Sequence, residues 1–325
     1  MFNKKLPKDK IKTWFVTGAS SGIGRELCSQ LLLRGYNVVA VSRRVPTFEN
    51  ENALNLSVDV TDINSVKTAI DKAIKHFGSV DVLANIAGIS SYKTFEEEAT
   101  EKMRSVMETN YWGTYNTCYS LIKYFRECNN GTIVNCSSVF GLCPRAFGSA
   151  YTPSKYAVEG LTSCLWFETQ NFNCRVMSVE PGSFDTEISK HDNDKFTSSF
   201  KEYSFKNFNI VRVSRNYKND ITRAVNSIID VVEKEKLPRR LMLGKDCIQR
   251  VKCEIKYILK DIKSSIPISN KIALKYSSAY FNPKSFKYVI QHKKYSILAL
   301  FSKGEKKEQY KTERRKYKSL IMGGL

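Results

Sequence analysis

The chain has 325 residues, 42% of them hydrophobic and 12% aromatic, and its 52 Lys and Arg against 32 Asp and Glu give a net charge of +20. That apolar content is ample for a packed core, and the longest lipid-compatible run, Tyr295 to Phe301, is far short of the roughly 20 apolar residues that a membrane-spanning helix needs. The first residues, MFNKKLPKDK, hold no apolar signal core, so a globular, cytoplasmic protein is expected.

Residues 11–17, IKTWFVT, form a short apolar run that stops at GASSGIG. Leu27, Leu31 and Leu32 then recur at helical spacing as far as Arg34 and Gly35, so strand, glycine turn and helix follow one another. YNVVAVS (36–42) and ALNLSVDV (53–60) read as further strands, and residues 66–77 as a helix with Val66, Ala69, Ile70, Ala73, Ile74 and Phe77 on its apolar face. SVDVLANIAG (79–88) is a fourth strand. A long helix is expected from about 100 to 128, a strand at GTIVNCSS (131–138), a helix over 150–170, and a strand at CRVMSVEPG (174–182), cut off by Pro181 and Gly182. Such alternation predicts an α/β fold with a doubly wound parallel sheet, which binds ligands at the carboxyl ends of its strands.

TGASSGIG, residues 17–24, stands where the first strand meets the first helix, a place where backbone amides can cradle a pyrophosphate. Gly18 permits the tight turn, Gly22 a close approach to phosphate and Gly24 close helix–strand packing, while Ser20 and Ser21 add hydroxyl donors. After the second strand the chain reads Ser42, Arg43, Arg44, with no Asp or Glu between Glu26 and Glu49. An acidic residue there would bind ribose hydroxyls, whereas guanidiniums suit a 2′-phosphate, so NADP is expected ahead of NAD; Arg44 also reads as a solvated loop charge.

YTPSK (151–155) puts Tyr151 four residues before Lys155, but Tyr119 with Lys123 and Tyr280 with Lys284 share that spacing. Only Tyr151 also has a serine, Ser138, 13 positions upstream. With TGASSGIG, Asp59 and Val60, NIAG (85–88), NYWG (110–113) and PGSFDT (181–186), the order of motifs resembles the short-chain dehydrogenase/reductase family in its compact, NADP-preferring form, over about residues 12–264. The resemblance implies a Rossmann fold and hydride transfer between a carbonyl and a secondary alcohol, chiefly as a reductase. Residues four apart share a helix face, so Tyr151 and Lys155 enter one cleft, and an ammonium near a phenol favours the phenolate. Tyr151 is then the general acid/base and Ser138 polarises the substrate oxygen, with Ser137 as a weaker candidate for that role. Lys155 also holds the nicotinamide ribose, and Asn110 keeps a water in a relay to Lys155, unless it merely kinks its helix. The cofactor is expected against Gly18, Ser20, Ser21, Gly22, Ile23, Gly24, Ser42, Arg43, Arg44, Asp59, Val60, Asn85, Ala87, Gly88, Tyr151, Lys155, Pro181, Gly182 and Thr186. Asp59 has a helix cap as its plain alternative, and Thr186 a turn hydroxyl.

Two positions depart from the family pattern. Ile86 stands where many members have a second asparagine, and Pro153 is tolerable only in the first turn of its helix. Residues 187–217 are expected to form a substrate lid with Phe196, Phe200, Tyr203, Phe205 and Phe208 in a pocket or packed on the core, and His191 in the solvent. LPRRLMLGKD (237–246) resembles the family's last strand. The helix after it, with Ile248, Val251, Ile255, Ile258, Leu259 and Ile262, is expected to pack on the domain.

The expected organisation is therefore one domain, residues 1–264, and a basic C-terminal extension, 265–325, holding 14 Lys and Arg against 3 Glu. That extension reads as a solvated tail, or as a weak contact with an anionic membrane surface; nucleic acid ranks lower. Its ending, YKSLIMGGL, resembles the start of a further glycine-turn strand. Nine cysteines without a CxxC read as reduced and mostly buried, and with three histidines no metal site is expected. The resemblance also implies a homodimer or homotetramer, built on helices near 104–128 and 151–170, and a small-molecule carbonyl or alcohol substrate. The rival readings are an extended-type epimerase, disfavoured by the glycine spacing, and a catalytically weak NADP-binding protein that acts through its basic tail at a membrane or partner surface.

Overall fold

A computed structural model of the chain describes residues 12–185, 198–203, 219–272, 304–322 and positions 291 and 295. Thr186, His191 and most of the expected lid lie outside them, among them Phe196, Phe205 and Phe208. The elements are β1 (Thr13–Thr17), α1 (Gly22–Leu33), β2 (Asn37–Ser42), β3 (Ala53–Ser57), α2 (Ile63–Phe77), β4 (Val82–Asn85), α3 (Thr100–Met107), α4 (Gly113–Glu127), β5 (Gly131–Cys136), α5 (Tyr151–Glu168), β6 (Cys174–Pro181), α6 (Ile221–Val232), β7 (Arg240–Leu243), α7 (Lys245–Ile272) and α8 (Gly304–Met322). The chain divides into two compact units, Met1–Lys256 and Tyr257–Leu325, with the division inside α7.

All neighbouring strands are parallel, in the order β3-β2-β1-β4-β5-β6-β7. This is the doubly wound sheet expected from the sequence. The chain winds outward from β1 in one direction and from β4 in the other, so the strand order reverses between them, and there the ligand crevice opens beyond the carboxyl ends. Successive residues of a strand face opposite layers. Trp14, Val16, Val38 and Ala40 pack with α1 and α6, whereas Phe15, Val39 and Val41 pack with α2 and α4. Burial on both faces explains why β1 and β2 read as continuous apolar runs.

Helix ends follow local chemistry. Asp62 caps α2 by accepting from the Asn64 amide at 2.9 Å, and Gly78, at φ 80°, ends it in the left-handed region. Pro153 falls in the first turn of α5, where no intrahelical donor is lost. The helix expected over 100–128 is interrupted by a π turn, Glu108–Trp112, that carries the fully buried Asn110.

Beyond the strand at β7, the start of α7 packs on the domain through Cys247 and Val251, as expected, while Ile248, Ile255, Ile258, Leu259 and Ile262 are exposed. The periodicity correctly marks a one-sided apolar helix but does not say whether anything covers that side. Tyr317 to Met322, read as the start of a strand, belong to α8; six residues at the end of a Lys- and Glu-rich helical run simply continue it. Among the described residues no helix is long and apolar enough to cross a membrane.

Candidate active site

A cleft of about 1080 Å³ lies beyond the carboxyl ends of the central strands. The turn after β1 forms its floor. Gly18 has φ +70°, and a Cβ there would meet the Ala87 backbone at 2.8 Å; a Cβ on Gly24 would stand 2.3 Å from the Gly18 carbonyl oxygen. Thr17 fixes the facing turn, its Oγ1 accepting from the Ile86 and Ala87 amides at 3.0 Å each. The first turn of α1 holds no carboxylate and Ser21 makes no side-chain cap, so the positive end of this helix is left for a ligand anion. Glycines that no larger residue can replace, an uncapped helix start and two flanking serines together fit a dinucleotide pyrophosphate.

At one rim the Ser57 hydroxyl donates to the Arg43 carbonyl at 2.9 Å and the Ser42 hydroxyl to the Arg44 carbonyl, which fixes the backbone and leaves both guanidiniums exposed. Asp59 accepts from the amide and hydroxyl of Thr61 at 2.9 and 2.8 Å. The helix cap itself falls to Asp62.

At the other end stand Ser138, Tyr151 and Lys155, all nearly buried and all lining the cleft. Ser138 follows β5 and caps a short 3-10 turn, Val139–Gly141, its Oγ accepting from the Phe140 amide at 3.2 Å. That bond occupies an oxygen lone pair and leaves the hydroxyl hydrogen for another acceptor. Ser137 also lines the cleft, but its hydroxyl is engaged, donating to the Lys155 carbonyl at 3.3 Å. The Lys155 ammonium donates to the Cys136 carbonyl at 2.8 Å and lies 5.7 Å from the centre of the Tyr151 ring. Burial lowers the Lys155 pKa below that of an ordinary lysine.

Asn110 does not line the cleft. Its Oδ1 accepts from the Ile89 amide at 2.8 Å, and its Nδ2 donates to the Ile89 carbonyl at 2.9 Å and the Ser154 hydroxyl at 2.8 Å. It thereby ties the π turn to the segment after β4 and to α5, close under Gly88. Asn85 lies outside the lining too. Its amide is tied into the core by Asn135 at 2.9 Å and Thr117 at 2.6 Å. Strand alternation turns Asn85 away from the crevice that the rest of NIAG faces. Apart from Thr186, the remaining expected cofactor residues all line the cleft: Gly18, Ser20, Ser21, Gly22, Ile23, Gly24, Ser42, Arg43, Arg44, Asp59, Val60, Ala87, Gly88, Tyr151, Lys155, Pro181 and Gly182.

Several residues of the site have no signature in the sequence. Asp246, buried at the start of α7, accepts from the Ser183 amide at 2.8 Å and from Asn219 at 2.8 Å, and anchors the loop after β6. Tyr92, Phe140, Arg145 and Arg250 line the cleft beyond Ser138 and come from three separate segments, after β4, between β5 and α5, and on α7. Behind Lys155, Glu180 is fully buried, and burial together with the neighbouring Glu159 carboxylate pushes its pKa up to about 8. Glu159 is itself paired with Arg240 at 3.0 Å. Among the described residues no group of three or more His, Cys, Asp or Glu could hold a metal. The nine cysteines are free thiols, five of them buried and Cys128 and Cys164 exposed.

A doubly wound sheet with a glycine-turn anion cradle and a Ser, Tyr and Lys cluster across one crevice defines a dinucleotide-dependent oxidoreductase class. The family model for short chain dehydrogenases matches residues 12–196. An uncharacterised oxidoreductase of Schizosaccharomyces pombe is 31% identical over 285 residues, covering 82% of this chain and 93% of that one. A short-chain dehydrogenase from Streptomyces avermitilis superposes with a TM-score of 0.73 at 28% identity, over 82% of this chain and 100% of that one. The protein ElxO, solved with NADP bound, gives a TM-score of 0.62 at 26% identity, over 74% of this chain and 99% of its own. The chain belongs to the short-chain dehydrogenase family of oxidoreductases.

Proposed function

We propose that this protein is an NADP(H)-dependent oxidoreductase that interconverts a carbonyl and a secondary alcohol, working chiefly as a reductase. The observation that carries the reading is that Ser138, Tyr151 and Lys155 meet in the same cleft as the uncapped glycine turn. The pyrophosphate would lie on the Gly18–Gly24 turn, the adenosine phosphate by Arg43 and Arg44, and the nicotinamide ribose by Tyr151 and Lys155. When bound, the nicotinamide supplies or accepts the hydride.

The chain's own residues handle the proton. Tyr151 holds it at Oη, gives it to the substrate oxygen in reduction and takes it back in oxidation. The Ser138 hydroxyl donates to that oxygen and stabilises the charge that develops there. Lys155 contributes a positive charge that favours the phenolate. Asn110 acts by holding Ile89 and α5 in register and by keeping a water on the route to Lys155.

Fluorescence titration with NADPH and NADH, followed by NADPH oxidation against a ketone panel, tests this reading. NADPH should bind about tenfold more tightly than NADH, the scale of charge-assisted hydrogen bonds in an exposed setting. Arg43→Ser with Arg44→Ser should erase that preference and leave NADH affinity unchanged. Equal affinity of the unaltered protein for the two cofactors would rule out the phosphate site.

A homo-oligomer fits the exposed aromatics on the π turn, α4 and α5, namely Trp112, Tyr119, Tyr156 and Phe167. Weak contact of the C-terminal region with anionic lipid is favoured by a specific feature of α7. Ile255, Ile258, Leu259, Ile262 and Ile266 recur at helical spacing and are all exposed, with Lys256, Lys260 and Lys263 between them and Lys252 just before. The protein should sediment with phosphatidylserine-containing vesicles at low salt and not with phosphatidylcholine alone, and Ile258→Asp with Ile262→Asp should release it. Sedimentation unaffected by those substitutions would remove α7 from the contact.

A further inference from the structure

The part of the cleft beyond Ser138 and Tyr151 is lined by two guanidiniums. Arg145 has its Cζ 4.8 Å from the centre of the Phe140 ring and 5.2 Å from that of Tyr92. Arg250, from α7, has its Cζ 5.7 Å from the same Phe140 ring. The ladder is tied to the reacting groups at both ends, because the Phe140 amide donates to Ser138 and the Tyr92 ring meets that of Tyr151 edge-on at 5.7 Å.

Two like charges that share one aromatic ring repel each other, and the Phe140 face compensates the Arg250 guanidinium only weakly. The Nε of Arg250 is buried without a hydrogen-bond partner, and Arg250 makes no ion pair with a described residue. Glu254, one turn further along α7, acts on the Cys143 thiol together with Arg250 but forms no ion pair with it. Asp59, at the far, ribose end, is the one carboxylate among the described lining residues. A buried donor left without an acceptor beside a second cation, in a cleft open to ligand, calls for an anion, and the planar guanidinium fork matches carboxylate and phosphate oxygens.

We propose that the substrate is a carbonyl compound bearing a carboxylate or phosphate a few bonds from the carbonyl, with its anionic end held by Arg145 and Arg250 while Ser138 and Tyr151 hold the oxygen. The proposal rests on the carbonyl–alcohol reading of this cleft and names its substrate class.

The test measures binding to the NADPH-loaded protein, and turnover, for two matched pairs: 4-acetylbenzoate against its methyl ester, and dihydroxyacetone phosphate against dihydroxyacetone. In at least one pair the anion should bind about tenfold or more tightly than its neutral partner, and which pair does so separates carboxylate from phosphate recognition. Arg145→Gln and Arg250→Gln should each reduce that preference about tenfold without changing affinity for the neutral partner or for NADPH. Arg250→Lys should retain part of the preference. Equal binding within both pairs, or a preference that survives both glutamine substitutions, would overturn the proposal. A protein that does not take up NADPH at all would instead sink the reading of the cleft on which the proposal stands.

Discussion

Replacing Tyr151 by phenylalanine should lower kcat about a thousandfold, within the usual range for loss of a general acid/base, and leave the Kd for NADPH within about threefold of its original value. Phenylalanine keeps the ring that meets Tyr92 edge-on and the ring face near the Lys155 ammonium, and removes only the oxygen that carries the proton. A thousandfold loss corresponds to about 4 kcal/mol of transition-state stabilisation, so the result is easy to separate from a shift in cofactor affinity. Steady-state kinetics together with NADPH fluorescence titration give both quantities. Turnover within tenfold of the original would mean that another group moves the proton.

The second large effect concerns stability. Glu180 holds its proton to about pH 8, against 4.5 for an ordinary glutamic acid, because it is buried beside another carboxylate. Glu159 Oε1 and Glu180 Oε2 are both buried without a hydrogen-bond partner in the structure, and a proton shared between the two carboxyls would satisfy both. A carboxyl whose folded pKa is raised binds its proton more tightly folded than unfolded. Its stabilising contribution is therefore fully present below about pH 4.5 and is lost as the pH rises to about 8, with a limiting slope of about 1.4 kcal/mol per pH unit. The thermal midpoint should fall between pH 6 and pH 8.5, and Glu180→Gln, which mimics the protonated form, should flatten that fall and be the more stable protein at pH 8.5. Parallel pH curves for the two proteins would mean that Glu180 is already ionised in the fold.

The alternation of strand and helix was legible because each buried strand is a short apolar run between glycine or proline stops, and the catalytic cluster was legible because its spacing is local to one helix. Other features were missed for specific reasons. Helix α6 carried a clear signal, with Ala224, Val225, Ile228, Ile229 and Val232 buried and Asp220 capping its start at 3.0 Å from the Arg223 amide, but it follows a polar, aromatic stretch that drew the reading toward a lid. The π turn at Asn110 has no spacing of its own, since one widened turn leaves the helical pattern on both sides intact. Asn85 was grouped with the cofactor by its motif, although period-two alternation along β4 sends it into the core. Arg145 and Arg250 lie about a hundred positions apart along the chain, and only the folded sheet brings them to one ring.

The position of β1 in the middle of the sheet also bears on how the protein is made. β1 leaves the ribosome before either of its sheet neighbours, and its five residues, TWFVT, are all buried in the finished fold. Its partner on one side, β2, follows within a few turns of chain, but the other edge stays open until Val82–Asn85 has been synthesised and can dock in parallel. Parallel neighbours joined through long crossovers pair slowly. Until then the nascent chain presents an apolar strand edge to its surroundings, the kind of surface that chaperones hold and that aggregates when they do not. Expression yield should therefore be sensitive to the rate of translation and the supply of chaperones between the synthesis of Thr13 and that of Asn85.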